Sequence, residues 1–321
     1  MHKPIVVVGS VNMDLVCCVD RIPAEGETVT GSHFELFHGG KGANQAVAAA
    51  RLGYPVSMVA KVGEDQFGVR LRQGLRLAGV DVKAVSVAKR TSSGVALIST
   101  DRCGQNSIVV IPGANGKLLP SDLEKTTSLL HSAGMILTQL EIPFETVEHL
   151  AALAQRSNIP LILDPAPARP IPDGLIRKIT FLTPNETETS VLCGIRTQDL
   201  TPSTAPDIAR TLFNRGLPNI VIKMGCRGAY AATAVNSGAF VPAFKVAAVD
   251  STAAGDAFNG GLAVALVQGR DLLAASRFGS AVAALSVTRM GAQPSMPSAR
   301  EVNRFLKSNV SPHLRLSSGS Y

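Results

Sequence analysis

The 321-residue sequence predicts an α/β fold: a mainly parallel sheet with helices on both faces and a small accessory β-layer. Three observations carry the prediction. Residues 4–9 (PIVVVG) are a continuous apolar, β-branched run, the mark of a strand buried on both faces. From residue 135 onward, strand-like runs alternate with helical ones, the order that winds a parallel sheet. Residues 15–37 and 93–112 hold only short alternating pieces broken by turn residues, which read as antiparallel strands rather than a crossover.

In chain order, the first strand ends in Gly9-Ser10-Val11-Asn12-Met13-Asp14. Short strands are expected at 27–30 and 34–37. A helix opens at His38-Gly39-Gly40-Lys41 and runs to residue 53. A strand at 56–61 leads through VGEDQFG into a helix ending near Gly79. Residues 93–99 and 108–111 form a hairpin around the turn 101–104, and 112–116 is a loop. Then come strand 135–140, helix 144–157, strand 161–164, strand 180–183 and a short helix after Pro184-Asn185. Helix 203–215, strand 219–223 and a β-rich stretch 229–249 follow. Helices close the chain at 257–267, 272–285 and 299–306. The domain reading is a core of 1–14, 38–92 and 113–308, a small β-sheet of 15–37 and 93–112, and a flexible tail of 309–321.

Composition excludes several function classes. Aromatics are 4% with no Trp, which argues against base-stacking platforms for single-stranded nucleic acid. The net charge is +7, but Lys and Arg are scattered, so no nucleic-acid footprint forms. A mild positive field suits a phosphorylated substrate; a merely soluble surface is the plainer account. No run of 18 apolar residues occurs, so no membrane span is expected, and the N-terminal apolar run is too short for a signal peptide. Cys17, Cys18, Cys103, Cys193 and Cys226 make an odd count without a CxxC pair, which reads as reduced thiols in a cytoplasmic protein, with Cys17-Cys18 in the core. The histidines form no HExxH or close pair.

The chemistry concentrates at residues 249–261, VDSTAAGDAFNGG. Small residues between an apolar run, 240–249, and a helix let backbone N–H groups approach an anion, with the helix start adding partial positive charge. Asp256 is redundant for anion binding. It makes sense as an acceptor for the proton of a hydroxyl lying beside the anion, which points to phosphoryl transfer to an alcohol. The plainer reading is an Asp N-cap. At the end of the first strand, Asn12 and Asp14 alternate on one side of an extended backbone, where an amide and a carboxylate can chelate vicinal hydroxyls; a turn capped by Asn and Asp is the alternative. In HGGKGANQA, two glycines before a helix start let backbone meet a ligand, and Asn44 lies one turn in. No Walker GxxxxGK[ST] exists, and no GxGxxG follows the first strand. Residues 288–295 form a loop rich in free carbonyls, which hard cations favour; from the residues alone an ordinary helix-ending loop is the plainer account.

Two signatures, GGKGANQAVAAARLG with VGEDQFG early and DSTAAGDAFNGG late, make the sequence similar to the ribokinase branch of the carbohydrate kinase family, over residues 3–306. The resemblance implies a three-layer αβα sandwich with a mainly parallel central sheet and a small β-sheet lid, two lids packing into a homodimer. It implies ATP-dependent phosphorylation of D-ribose at its primary hydroxyl, with Mg2+ carried by ATP and a potassium-type cation as activator. By motif position, Asn12, Asp14, Gly40, Lys41, Asn44 and Glu141 would hold the sugar. Asp256 would be the base, and the N–H groups of Ala253, Ala254, Gly255 and Asp256 the anion hole. Asn185 and Glu188 would sit near the phosphates and magnesium, and Lys223, Gly225, Gly228, Gly255 and Ser280 by the nucleotide. Asp250 and Thr252, with Ser286, Arg289, Gly291 and Ser295, would hold the monovalent cation.

Two positions depart from the family pattern. Lys223 stands where a small hydroxyl residue is more usual, and Ser280 where Asn is common. Both bear on the phosphate donor. A kinase for 2-deoxyribose, fructose or a nucleoside stays open, with Met13 between the two sugar-binding positions. So does a sugar-binding protein without turnover.

Overall fold

The computed structural model of the protein describes residues 3–103, 105–236 and 238–309. Of the tail expected at 309–321 only Asn309 is among them, and Gly104 of the expected turn is not. The strands in chain order are β1 (Ile5–Val8), β2 (Asn12–Val19), β3 (Gly31–Gly39), β4 (Val56–Gly63), β5 (Val85–Ala88), β6 (Gly94–Thr100) and β7 (Asn106–Ile111). After them come β8 (Met135–Thr138), β9 (Leu161–Leu163), β10 (Phe181–Leu182), β11 (Asn219–Lys223), β12 (Ala229–Thr233) and β13 (Ala239–Val241).

Nine strands form one sheet in the order β13-β12-β11-β10-β9-β8-β1-β4-β5. β1 pairs in parallel with β4 and β8, and the run from β8 to β11 is parallel throughout. Only β12 and β13 add on antiparallel. The residues of β1 show why both faces are covered. Ile5 and Val7 enter one hydrophobic cluster with the helices Lys41–Arg51, Gln66–Leu77, Ala254–Val267 and Leu272–Ser286. Val6 and Val8 enter a second with Phe144–Arg156 and Ala205–Asn214. A period-two backbone thus feeds two cores from one apolar run.

The remaining four strands form a separate sheet, β3-β2-β6-β7. β2 and β3 are antiparallel, β6 and β7 make the expected hairpin, and β2 joins β6 in parallel. This sheet begins at Asn12, not after Asp14, and β3 starts at Gly31; residues 27–30 are not a strand. Asn12 and Asp14 therefore stand on a hydrogen-bonded strand and not in a turn. Met13, between them, is buried in the core and does not face them. Cys17 and Cys18 lie half-buried on β2 rather than in the core.

Two further expectations need correction. Residues 242–249 are not a strand: after β13 the chain runs irregular and mostly exposed, starting at Pro242, which has no N–H to give a ladder. The last catalytic-motif helix begins at Ala254, three residues earlier than expected. Its neighbours explain the paired glycines: a Cβ on Gly260 would lie 2.6 Å from the Ala48 Cβ, and one on Gly261 2.8 Å from a Val282 methyl. The small residues let this helix lie tight between Lys41–Arg51 and Leu272–Ser286. Edge strand β5 and the short helices Pro120–Glu124, Thr127–Ser132 and Asp173–Ile176 have too little periodicity to be read from sequence.

Candidate active site

Polar side chains gather just past the C-terminal ends of β1, β8 and β9, the place where open parallel sheets take ligands. Two helix starts meet there. One is Lys41, set close to β1 by glycines: Gly40 has φ 88°, and a Cβ on it would lie 2.7 Å from the Asn12 nitrogen. A Cβ on Gly39 would strike the Asp14 carboxylate. The glycines of this motif thus bring chain against chain, and the strand end and helix start are pressed together.

The other helix start carries Asp256. The N-cap is Ala253, in the left-handed region at φ 59°, and no side chain caps the helix. Asp256 is in the first turn, so the N-cap reading fails. First-turn N–H groups have no intrahelical partner; of those here, the Ala254 N–H donates to the Ser251 carbonyl at 3.2 Å. A non-glycine residue in this conformation is strained by about 1–2 kcal/mol, and such strain collects at functional sites.

Asp256 is 5% exposed. Its Oδ2 accepts from Asn44 Nδ2 at 3.0 Å and its Oδ1 from Gln45 Nε2 at 3.0 Å. Those carboxamides are themselves held. Asn44 Oδ1 accepts from Gln293 Nε2, and Gln45 Oε1 accepts from Gln139 Nε2 at 2.8 Å. Burial pushes the Asp256 carboxyl up, Lys41 pulls it down, and Asp164 pushes it up again, leaving it at about 6. A carboxylate near 6 is ionised at neutral pH yet basic enough to take a proton.

Beside Asp256 lies an acidic bowl. Asp14 is raised to about 7 by burial and by the charges of Glu141 and Asp256. Glu141 Oε2 accepts from Ser10 Oγ at 2.5 Å and from the Lys41 N–H at 3.2 Å. Asn12 Oδ1 accepts from Asn115 Nδ2 at 2.6 Å. Burial opposes the Lys41 ammonium, but Asp256, Asp164, Glu141 and Glu188 together hold its pKa above the ordinary lysine value. Acceptor-rich carboxylates crowded around one cation suit a ligand that brings several O–H donors.

A cavity of ≈ 700 Å³ adjoins the same helix start. Lys223, Gly225, Gly228, Gly255 and Ser280, all expected by the nucleotide, line it, with Ala283, Ala284 and Val287 as apolar wall. Asn185 is not in the lining. It caps the helix Glu186–Cys193, and both Glu188 oxygens accept from it, at 2.7 and 2.9 Å. Burial and Asp164 raise the Glu188 carboxyl, against the pull of Lys223. The other expected cation-site residues are partly joined: Asp250 accepts from the N–H groups of Thr252 and Gly291, both at 2.8 Å, and sits below its usual pKa despite burial because of these bonds. The Arg289 N–H donates to the Ser286 carbonyl at 3.1 Å, its guanidinium pairs with Glu301, and Ser295 Oγ donates to the Ala292 carbonyl.

Sequence reasoning missed Ser10, Gln45, Asn115, Gln139, Asp164 and Gln293 as site members. Gln139 and Asp164 share one legible signal: each is a polar residue directly after a buried parallel strand. Asn115 comes from a short 3-10 helix, Gly113–Lys117, where a loop was expected, and Gln293 from a loop; nothing local marks either as a site residue.

The fold and site define a class: an α/β protein with a carboxylate-lined bowl beside an uncapped helix start. A family model described as pfkB family carbohydrate kinase matches residues 2–299. The chain belongs to this family of carbohydrate kinases. It is 42% identical to a ribokinase of Bacillus subtilis, across 95% of this chain and 99% of that one. It is 40% identical, with the same coverage, to a deoxyribokinase of Salmonella typhi. A solved ribokinase of Arabidopsis thaliana complexed with ribose and ATP superposes with a TM-score of 0.89, at 35% identity over 96% of this chain and 99% of that one.

Proposed function

We propose that the protein transfers the terminal phosphoryl group of ATP to the primary hydroxyl of D-ribose, giving ribose 5-phosphate and ADP. One observation carries this: Asp256, buried and raised to about 6, stands at an uncapped helix start between the acidic bowl and the cavity. The Bacillus ribokinase and the Arabidopsis complex with ribose and ATP support the choice of substrates. Asn12, Asp14, Lys41, Asn44 and Glu141 hold the sugar hydroxyls, with Gly40 giving the close approach. As the primary hydroxyl oxygen bonds to the γ-phosphorus, its proton passes to Asp256 and the bond to the ADP oxygen breaks. The N–H groups of Ala253, Ala254, Gly255 and Asp256 hold the charge that develops. Lys223, Gly225, Gly228, Gly255 and Ser280 wall the nucleotide.

Among the described residues no group of three or more His, Cys, Asp and Glu could hold a metal. That suits Mg2+, which binds through substrate phosphates and one or two carboxylates. Glu188, oriented by Asn185, is the nearest candidate. Bound there, Mg2+ supplies charge neutralisation on the phosphates. For a potassium-type cation, Asp250 and the carbonyls of Thr252, Ser286, Arg289 and Gly291, with the Ser295 hydroxyl, are the donor set; all are hard oxygens, and binding would stiffen the segment leading into Ala253.

The small sheet is read as a lid and as the surface of a homodimer. β7 is exposed along its whole length, and Phe34, Leu97, Ile108, Val109, Val110 and Ile111 are apolar and exposed. The free cysteines suit a cytoplasmic protein; among the described residues no helix is long and apolar enough to cross a membrane.

A second reading, 2-deoxyribose as acceptor, is favoured by the Salmonella deoxyribokinase. Coupled measurement of ADP release over ribose, 2-deoxyribose and fructose, with and without potassium, tests all of this. Ribose is expected to give the highest kcat/KM. No ADP release with any sugar would overturn the reading.

A further inference from the structure

The cavity is lined by a part-buried cation whose anchoring reaches across to the acceptor side. Lys223 ends β11, and its Nζ donates to Asp164 Oδ1 at 3.0 Å. The lysine side chain is 12% exposed and the aspartate 4%. Such residues are seldom buried unless paired. The second oxygen of Asp164 accepts from Gln45 Nε2 at 2.9 Å, and the same Nε2 donates to Asp256 Oδ1 at 3.0 Å. One amide group therefore bridges two carboxylates, and a continuous chain runs Lys223, Asp164, Gln45, Asp256. A Cβ on Gly255 would lie 3.5 Å from Lys223 Nζ, so the ammonium stands over the helical turn that carries Asp256.

We propose that Lys223 and Asp164 work as one device joining the two half-sites. Lys223 is a ligand for the transferring phosphoryl group, held on Asp164 until the donor arrives. Asp164 is a positioning residue that aims Gln45 and, through it, Asp256. This rests on the reading of Asp256 as base and of the cavity as donor site. A surface ion pair would stabilise little. This one is buried, and breaking it from either end leaves an uncompensated charge.

The two ends have opposite electrostatic effects on Asp256. The charged and polar groups facing Asp256 are Lys41, Asn44 and Gln45 from the helix Lys41–Arg51, Asp164 beyond β9, and Asp14 from β2. Removing the Asp164 charge makes Asp256 easier to ionise. Removing Lys223 leaves Asp164 uncompensated and makes Asp256 harder to ionise.

The test uses the full-length enzyme as wild type, Asp164→Asn, Lys223→Met and the double variant, with steady-state kinetics in ATP and ribose from pH 5 to 9. Lys223→Met is expected to raise KM for ATP roughly 10- to 100-fold, the range for a lost charged hydrogen bond, with little change in KM for ribose. The acid limb of kcat/KM should move up in pH for Lys223→Met, down for Asp164→Asn, and back toward wild type in the double variant. Limbs that do not move, or move the same way, would overturn the proposal, as would strictly additive losses; a purely structural pair gives one of these. If Asp164→Asn does not fold, Lys223→Arg against Lys223→Met reads the same point: Arg should keep a low KM for ATP, and equal values overturn it. A wild type without ATP-dependent turnover would instead overturn the reading of the site itself.

Discussion

On one side of Asp256 the chain presents Asn12, Asp14, Lys41, Asn44 and Glu141, of which Asn12, Asn44 and Glu141 are fixed by side-chain bonds over long stretches of sequence; on the other it presents Gly225, Gly228, Ala283, Ala284 and Val287. On the proposed reading the first side would recognise by charge and directed hydrogen bonds, and the second by shape and backbone, with Lys223 as its part-buried charged group. The contrast teaches where specificity resides. A site made of interlocked carboxylates and amides loses much when one member changes, because its partners are left buried and unpaired. A wall of small residues forgives single changes.

Asp256 and Lys223 aside, the largest effect is expected at the acidic bowl. Asp14→Asn should lower kcat/KM for the sugar roughly 10- to 100-fold, as for a lost charged hydrogen bond, with KM for ATP nearly unchanged. An equal rise in KM for ATP would break the comparison, since Asp14 would then serve both sides. The same substitution has a stability consequence. The folded-state pKa of Asp14, about 7, lies above its unfolded value of 3.8. Folding therefore binds a proton between these values. The stabilising contribution is full below pH 4 and is lost as pH rises through 7. Removing the carboxylate should raise the stability of the sugar-free protein by about 1–3 kcal/mol at pH 8, a shift of one unit being about 1.4 kcal/mol before discounting for partial exposure. The gain should vanish near pH 4. Urea unfolding at the two pH values reads this directly, and a gain that persists at low pH contradicts it.

Apart from Lys223, smaller effects belong to the donor side. Ser280→Ala should change KM for ATP by about two- to fivefold at most, the value of a neutral hydrogen bond. A larger rise would make that wall as directed as the bowl. Smallest is Ala253→Gly, which removes the left-handed strain but adds chain entropy to the unfolded state; stability should rise by no more than about 1 kcal/mol. Destabilisation in thermal unfolding would mean that the N-cap methyl has a packing role.

The two sides also differ in how well the sequence foretells them. The parallel sheet was legible because β1 and its neighbours are apolar runs, and both helix starts because small residues cluster before them. The donor wall, by contrast, was expected only from the family resemblance, by motif position. The network around Asp256 was legible only in part: Gln139 and Asp164 are marked as polar residues directly after strands, but that they meet Gln45 depends on two strand ends and a helix start converging, and spacing along the chain carries no trace of that. The stretch before Ser251 misled for the opposite reason. Residues 243–249 have strand-like composition, but after Pro242 they pair with nothing in the sheet, and tertiary context overrides propensity.

Single-turnover phosphoryl transfer by Asp256→Asn, with ribose binding followed separately by calorimetry, tests the central claim. The account predicts a rate loss of at least about 10²–10⁴-fold, the range for a general base, no acid limb near pH 6, and retained sugar binding. Near-native transfer in that variant would contradict it.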